Sequence, residues 1–270
     1  MISANGNGMK KTIGLCIVLL VLCLTGCHKA EQSKETLTLF VAASLTDVIQ
    51  EIGDEYKKDR PVEIVYNFAS SGALAQQLLA SPRADLFLSA SEKWMDAVEN
   101  DGKLKEDTRK TFLSNHLVVI ANAKSDYALN TPIEFAALPF RFLSIGDPAS
   151  VPAGRYARSW LSSVNLEGGS NLWDQVSNRI SPAPDVRSAL IQVEGSSDVV
   201  GIVYETDYKV RPEGLRLLYR VPTGEGPKIS YAVGILNETQ LPDLAQDFLN
   251  YLATPEVSGI FEKYGFEPLK

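Results

Sequence analysis

The stretch FASSGALAQQLL, Phe68–Leu79, joins a predicted strand to a predicted helix, and the rest of the fold is interpreted outward from it. Apolar residues alternate with others over residues 62–68, the period of a strand whose two faces are unequally buried. Two serines and a glycine follow, and then leucines recur at helical spacing. A helix start of this kind carries roughly half a positive charge and about four N–H groups without intrahelical partners. The junction therefore predicts a place to hold an anion, although no basic residue occurs in the stretch itself.

A second junction of the same kind precedes it. Residues 37–42 (LTLFVA) predict a strand, and apolar residues at helical spacing then continue as far as Lys58. Ser44 stands between the two elements and is predicted to be the N-cap of the helix. The sequence therefore predicts two serine hydroxyls at the starts of two helices.

Strands and helices alternate along the whole chain. Through the apolar run His116–Ala121 the order is βαβαβαβ, which predicts a parallel sheet with right-handed crossovers. The pattern then restarts after residue 122, with predicted strands at residues 140–145, 199–204, 215–219 and 229–236 and helices between and after them. Asp185 is a predicted helix N-cap, Thr254 precedes a proline at a first helical position, and Gly265 is a predicted helix stop. The fold class expected is α/β, in two halves.

The first 27 residues have the features of an export signal. Lys10 and Lys11 precede an apolar segment, residues 12–24, that is too short to span a bilayer comfortably. The segment ends in Leu24-Thr25-Gly26-Cys27, which resembles the lipobox of bacterial lipoproteins and implies that Cys27 is acylated. The alternative is an ordinary signal peptide with a chance cysteine. The start codon is Met1 or Met9, because residues 1–8 have no targeting character.

Composition limits the partners. The net charge is −7 and becomes −9 once residues 1–26, which hold two lysines and no acid, are removed. An acidic chain of this kind argues against nucleic acid as a partner. Cys27 is the only cysteine after the signal, so no disulfide is expected. Residues 28–36 are polar and are predicted to form a tether.

Catalytic motifs are not found. Of the two histidines, His28 lies in the tether and His116 opens an apolar strand, where a structural role is expected. There is no nucleophile elbow, phosphate-binding P-loop, dinucleotide motif or Cys/His metal cluster in the sequence. A nucleophile at Ser44 or Ser71 would need a base, and none is evident nearby.

Binding is better supported than catalysis. Four predicted helix starts, two in each half, carry hydroxyl groups or small residues, and a tyrosine ends a strand: Ser44, Ser70-Ser71-Gly72, Val151-Pro152-Ala153-Gly154, Asp185-Val186 and Tyr204. Each alone is most simply a cap, a turn or a core residue. Together they predict one cleft, because ligands of open parallel sheets sit at the carboxyl ends of the strands.

In combination and order, several motifs resemble the molybdate-binding proteins of molybdate ABC importers, over residues 37–270: FVAASL (40–45), FASSG (68–72), ADLFLSA (84–90), GDP (146–148), VPAG (151–154), APDVR (183–187), GIVY (201–204) and YGF (264–266). The resemblance implies a two-lobe type II periplasmic-binding-protein fold, each lobe a mostly parallel sheet flanked by helices, with two crossover strands. The lobes expected are residues 37–118 with 232–270, and residues 119–231, after a signal at 1–26 and a tether at 27–36. Two features depart from the family: Gly72-Ala73 stands where many members have hydroxyl residues, and residues 167–171 look like an insertion.

The resemblance also implies a ligand and a function. One molybdate or tungstate is expected between the lobes, held by Ser44, Ser71, the amides around Ala153 and Val186, and Tyr204, with no cofactor. The chain would be a monomeric, lipid-anchored protein of the cell envelope that delivers the anion to an ABC permease and catalyses no reaction. Two alternatives stay open: the same fold with sulfate, phosphate or another oxyanion, and an exported hydrolase of anionic esters.

Overall fold

The computed structural model describes residue 1 and residues 34–81 and 83–269 of the chain. The signal after residue 1, Cys27 and most of the predicted tether lie outside the described residues. Residues 36–269 form one compact unit. Among the described residues, no helix is both long enough and apolar enough to span a membrane.

One sheet has six strands in the order β11-β4-β10-β3-β1-β2. Its strands are β1 (Glu35–Ala42), β2 (Val62–Ala69), β3 (Leu86–Ser89), β4 (Lys110–Asn115), β10 (Ile229–Ile235) and β11 (Glu267–Pro268). The helices that pack with it are α1 (Thr46–Lys58), α2 (Ser71–Leu79), α3 (Glu92–Asn100), α8 (Pro242–Tyr251) and α9 (Pro255–Lys263). We call this sheet and its helices the first lobe.

The other sheet has five strands in the order β7-β6-β8-β5-β9. Its strands are β5 (Leu117–Asn122), β6 (Phe142–Gly146), β7 (Ile180–Ala183), β8 (Val199–Tyr204) and β9 (Leu215–Arg220). The helices that pack with it are α4 (Pro152–Ser163), α5 (Leu172–Val176), α6 (Val186–Glu194) and α7 (Glu205–Val210). We call this sheet and its helices the second lobe.

The strand at residues 117–122 corrects the expectation of a continuous parallel sheet. It belongs to the second lobe, where β5 pairs antiparallel with both β8 and β9. In the first lobe β10 pairs antiparallel with β3 and β4, so both sheets are mixed rather than mostly parallel. The parallel pairs β1–β3 and β6–β8 lie beside these antiparallel ones. The unpredicted strand β4 explains the difference, because it is the last strand of the first sheet before the chain crosses, and β5, the next strand, already belongs to the second sheet.

The described chain crosses between the lobes twice, at residues 115–117 and at residues 220–229. The predicted lobe limits fall inside β5 and β10, a few residues from these crossings, and the domain division itself stays a prediction.

The core is built on strands that are buried on both faces. All six residues of β5 and of β8 are buried, as are all seven of β10, so side chains pack on both faces of these strands.

Most predicted helix ends are where the sequence places them. Ser70 caps α2 by accepting a hydrogen bond from the Ala73 amide, and Asp185 caps α6 through Ser188 in the same way. Thr254 caps α9, with Pro255 at its first position. Ser44 is the exception: it lies in a 3-10 turn, Ala43–Leu45, and α1 begins after it at Thr46 without a side-chain cap. The Ser44 hydroxyl is therefore free for another role.

Candidate functional site

A small cavity forms where strands of both lobes end and helices begin. Its lining includes all five predicted site residues, Ser44, Ser71, Ala153, Val186 and Tyr204, and none of the five lies elsewhere. The lining also includes Ser70, Val151 and Pro152, which belong to the predicted helix starts, and three alanines that were not predicted to bind the ligand, Ala42, Ala43 and Ala90. The volume of the cavity is only about 10 Å³, measured as the space open to the centre of a water molecule. This space is close to the minimum for a single water molecule, so the cavity excludes any large ligand.

Ser71 presents its hydroxyl from the first position of α2. The side chain is 1 % exposed, and its Oγ accepts a hydrogen bond of 2.9 Å from the Ala90 amide. Because this bond occupies a lone pair, the hydroxyl hydrogen remains available to donate into the cavity. The neighbouring Ser70 is used differently, since its Oγ accepts from the Ala73 amide at 3.3 Å as the helix cap.

Ser44 is held from the other side by a polar network. Its Oγ lies 3.2 Å from the hydroxyl of Tyr231, which also accepts a hydrogen bond of 3.1 Å from the Asn115 side-chain amide. The same Asn115 amide group donates to the Thr206 hydroxyl at 2.9 Å. Burial raises the pKa of Tyr231 above its ordinary value, so its phenol stays neutral. The network connects the 3-10 turn at Ser44, β4 and β10 of the first lobe to α7 of the second.

Tyr204 brings an unsatisfied hydroxyl to the cavity. It ends β8, its side chain is 1 % exposed, and its hydroxyl has no hydrogen-bond partner among the described residues. Burial raises the pKa of this phenol well above its ordinary value, and the nearby Tyr231 adds to the rise. A buried hydroxyl without a partner costs roughly 1–3 kcal/mol. The Tyr204 hydroxyl is therefore a neutral donor that a ligand in the cavity would satisfy.

Two helix starts of the second lobe complete the lining. Pro152 and Ala153 are the first residues of α4, and Val186 is the first residue of α6. The first N–H groups of an α-helix have no intrahelical acceptor, so the amides of Ala153 and Val186 are not bonded within their helices, whereas Pro152 has no N–H. In α6 the Ser188 amide is already used, because it donates to the Asp185 side chain. Ala153 and Val186 are 0 % and 3 % exposed, so their amides face a dry environment. The arrangement gathers helix N-termini, which favour negative charge.

Glycines allow the close approaches at this site. A Cβ atom on Gly154 would lie 1.7 Å from the Gly146 carbonyl oxygen, so only glycine fits at this position of α4. Gly72 of the first lobe donates its amide to the Ser150 carbonyl of the second lobe at 3.1 Å. A Cβ atom at Gly72 would lie 2.2 Å from that carbonyl oxygen. The departure from the family pattern noted at residue 72 is therefore a point of contact between the lobes.

A buried acid lies behind the cavity. Asp207 in α7 is 0 % exposed, and its Oδ2 accepts a hydrogen bond of 3.3 Å from the Tyr204 amide. Its Oδ1 lies 2.8 Å from Nε of Arg187, an ion pair whose geometry is not that of a hydrogen bond. Burial raises the pKa of Asp207 to about 7, although the Arg187 charge opposes the rise. The Arg187 guanidinium also donates to Asp47 of the first lobe at 2.5 Å.

The cavity provides donors and no catalytic pair. No charged side chain is among its lining residues. Within the described chain, the hydrogen bonds of Ser44 and Ser71 go to a phenol and a backbone amide, and neither serine bonds to a histidine or a carboxylate. No group of three or more His, Cys, Asp or Glu side chains in the described residues could hold a metal ion. Such a donor set can enclose an anion, but it lacks the base that a serine nucleophile requires.

Larger cavities of the described chain differ in chemistry. One of about 490 Å³ lies beside β4 and β10 and is lined mainly by apolar side chains such as Phe112, Leu249 and Phe261. Another of about 230 Å³ lies at the two crossings and includes His116, whose Nε2 is 2.8 Å from a Glu267 carboxylate oxygen. His116 thus makes a contact within the fold, as its sequence position suggested.

Two mixed sheets flanked by helices, with a donor-lined cavity at the strand ends of both, define a two-lobe solute-binding protein. The model of the family described as bacterial extracellular solute-binding proteins matches residues 37–267, and the chain belongs to this family. The molybdate-binding protein ModA of Escherichia coli strain K12 is 36 % identical over 251 residues, 92 % of this chain and 94 % of that protein. ModA of Haemophilus influenzae strain Rd is 38 % identical over 265 residues, 96 % of this chain and 99 % of that protein.

The fold comparison agrees with the sequence comparison. The solved structure of a periplasmic molybdate-binding protein from Azotobacter vinelandii superposes with a TM-score of 0.75, covering 87 % of this chain and 100 % of that one at 21 % identity. The two-lobe type II fold and the family resemblance stated from the motifs are thereby confirmed.

Proposed function

We propose that this chain is an extracytoplasmic solute-binding protein that captures molybdate, and also tungstate, for an ABC importer. The observation that carries the proposal is the Tyr204 hydroxyl, buried without a partner at a cavity lined by Ser44, Ser71, Ala153 and Val186. The naming of the ModA relatives as molybdate-binding proteins supports the choice of anion. The description of the matched family as extracellular solute-binding proteins supports a location outside the cytoplasm.

The energetics of such a site are favourable. A dianion buried without compensation costs on the order of tens of kcal/mol. Donors fixed to an anion contribute about 1.5–3 kcal/mol each, so about seven would contribute roughly 10–20 kcal/mol before desolvation and lobe closure are subtracted. A net binding free energy of about −8 to −12 kcal/mol, micromolar to nanomolar, is the expected remainder.

Neutral donors also select among anions. Hydroxyl and amide hydrogens suit an anion that stays fully deprotonated at pH 7, whereas a protonated phosphate brings a donor of its own and finds no dedicated acceptor in this lining. Sulfate has the right charge but is smaller. Its rejection depends on the size of the closed cavity, since the same donors would lie too far from its oxygens.

Isothermal titration calorimetry tests the proposal. We expect about one molybdate or tungstate per chain with micromolar-to-nanomolar affinity, and no heat from sulfate at equal concentration. Absence of heat from molybdate at tens of micromolar protein would reject the proposed ligand. Heat from sulfate or phosphate alone would instead support the alternative oxyanion. Turnover of a phosphate or sulfate ester that disappears in Ser71→Ala would support a hydrolase.

The anchor is a separate proposal. We expect acylation at Cys27, because Leu24-Thr25-Gly26-Cys27 follows the apolar segment, and we expect the monomer to meet its permease while attached to a membrane. Cell fractionation of Cys27→Ser tests this. The variant should move from the membrane to the soluble fraction, and an unchanged distribution would exclude the lipid anchor while leaving the ligand proposal intact.

A further inference from the structure

Two arginines follow the ligand-facing helix starts of the second lobe. Arg155 stands two residues after Ala153 on α4, and Arg187 stands one residue after Val186 on α6. Neither arginine lines the cavity. Both side chains instead extend to the first lobe, and both are only partly exposed.

The contact of Arg155 lies directly behind the cavity wall. Its Nη2 donates to the Ser91 hydroxyl at 2.6 Å, and Ser91 is 0 % exposed. Ser91 follows Ala90, which lines the cavity and donates its amide to Ser71. A charge-assisted bond from α4 of the second lobe therefore reaches the strand end that orients the Ser71 hydroxyl.

The contact of Arg187 lies behind the other serine. Its Nη2 donates to Asp47 at 2.5 Å, and Asp47 is in the first turn of α1, three residues after Ser44. Its Nε faces Asp207 of its own lobe at 2.8 Å. If the lobes separate, the bond to Asp47 breaks while the pair with Asp207 is retained, because only Asp47 belongs to the first lobe.

We propose that Arg155 and Arg187 are positioning residues that clasp the two lobes over a bound anion and hold the helix starts at Ala153 and Val186 in place. The inference rests on the proposed function. Each clasp forms only in the closed state, so it contributes to binding by stabilising that state and not by touching the ligand. Removing one should therefore speed ligand release and leave the encounter rate almost unchanged.

Stopped-flow fluorescence with molybdate measures the two rates separately. Trp94 is a suitable reporter, because its ring lies beside Gly72 and Ser150 at the contact between lobes. We expect Arg155→Gln and Arg187→Gln to raise the dissociation rate about 10- to 100-fold, with the association rate within about threefold of wild type. Arg155→Lys, which retains a charged donor, should recover part of the loss.

Arg158→Gln is the matched control. Arg158 lies on the same helix, carries the same charge and packs over the Trp173 ring of its own lobe. The control should release molybdate at the wild-type rate. Two results would contradict the proposed clasp: an equal effect in the control, or a fall in the association rate without a change in the dissociation rate. Either would show that the arginines act by long-range attraction of the anion.

A double-mutant cycle isolates the Arg155 contact. Ser91→Ala should raise the dissociation rate, and combining it with Arg155→Gln should add little, because both changes remove one bond. Additive effects would overturn the assignment, as would wild-type release rates in both arginine variants. Where a glutamine variant fails to fold, the Ser91→Ala and Asp47→Asn variants test the same bonds from the first lobe. Wild-type protein that does not bind molybdate would overturn the proposed function and this inference together, whereas normal wild-type binding with unaffected variants would reject this inference alone.

Discussion

The rings of Tyr204 and Tyr231 lie 5.9 Å apart between centroids, yet only the Tyr231 hydroxyl has hydrogen-bond partners within the described chain. Tyr204 comes from β8 of the second lobe and Tyr231 from β10 of the first. The Tyr231 phenol bonds to Ser44, whereas the Tyr204 phenol has no partner. In the proposed function the same residue type therefore has a structural role on one side of the cavity and a binding role on the other.

Removing each hydroxyl should separate these roles. Tyr204→Phe deletes an unpartnered buried hydroxyl, so the free energy of unfolding without ligand should stay constant or rise by about 1–2 kcal/mol, while molybdate affinity falls about 10- to 100-fold. Tyr231→Phe removes the partner of Ser44 and Asn115 and should lower the free energy of unfolding by about 1–3 kcal/mol. Denaturant unfolding and calorimetry measure both quantities. Loss of stability in Tyr204→Phe with unaltered affinity would contradict the assignment.

The two adjacent serines should also differ. Ser71→Ala removes the acceptor of the Ala90 amide and the hydroxyl that faces the cavity, so we expect at least a tenfold loss of molybdate affinity. Ser70→Ala removes the cap of α2 and should cost about 1 kcal/mol of stability, with a smaller change in affinity. Calorimetry and thermal unfolding of the pair test this. A larger affinity loss in Ser70→Ala would transfer the binding role to Ser70.

Local patterns in the sequence predicted those parts of the site that local geometry determines. The serines at strand-to-helix junctions, the Asp185 cap and the Val151–Gly154 turn occur where backbone periodicity changes. The family resemblance then supplied which of them belong together. The same local reading wrongly made Ser44 a helix cap, because a single 3-10 turn before α1 leaves no trace in apolar periodicity.

The rest of the site depends on contacts between distant parts of the chain. Ser44 and Tyr231 are separated by 187 positions, and Asp47 and Arg187 by 140. Strand β4 was missed because its sequence, Lys110–Asn115, is polar at both ends and pairs only once β10 returns from the second lobe. No local sequence pattern predicts such long-range strand pairing. No capping signature marked the buried acid Asp207 either, since Tyr204 at the N-cap of α7 makes no side-chain cap bond.

A side chain at position 72 should limit closure of the lobes. In Gly72→Ala the new Cβ would lie 2.2 Å from the Ser150 carbonyl oxygen, so the loop of the second lobe has to move away and molybdate affinity should fall at least tenfold. Stability without ligand should change little, since alanine favours the helix. Gly259→Ala is the control, because Gly259 lies in α9 with no heavy atom within 4 Å of its Cβ position. Small-angle X-ray scattering with molybdate should show the Gly72 variant more open than the control, and equal compaction of both would contradict the argument.

Asp207 should make the stability of the chain depend on pH in an unusual direction. Burial raises its pKa from 3.8 in the unfolded chain to about 7 in the folded protein. Between these values the folded state binds more protons than the unfolded state, so this group's contribution to stability is complete below pH 3.8 and is lost as the pH rises through 7. The loss reaches up to about 1.4 kcal/mol per pH unit.

The comparison of Asp207→Asn with wild type isolates this contribution. Asparagine does not titrate, so the free energy of unfolding of wild type should fall relative to that of the variant as the pH rises from about 4.5 to about 7.5. Urea unfolding at several pH values measures the difference. Asp47→Asn is the matched control, because Asp47 also pairs with Arg187 but its side chain is 40 % exposed. A wild-type protein that gains stability relative to Asp207→Asn over this range would show that the Arg187 charge outweighs burial and holds Asp207 ionised.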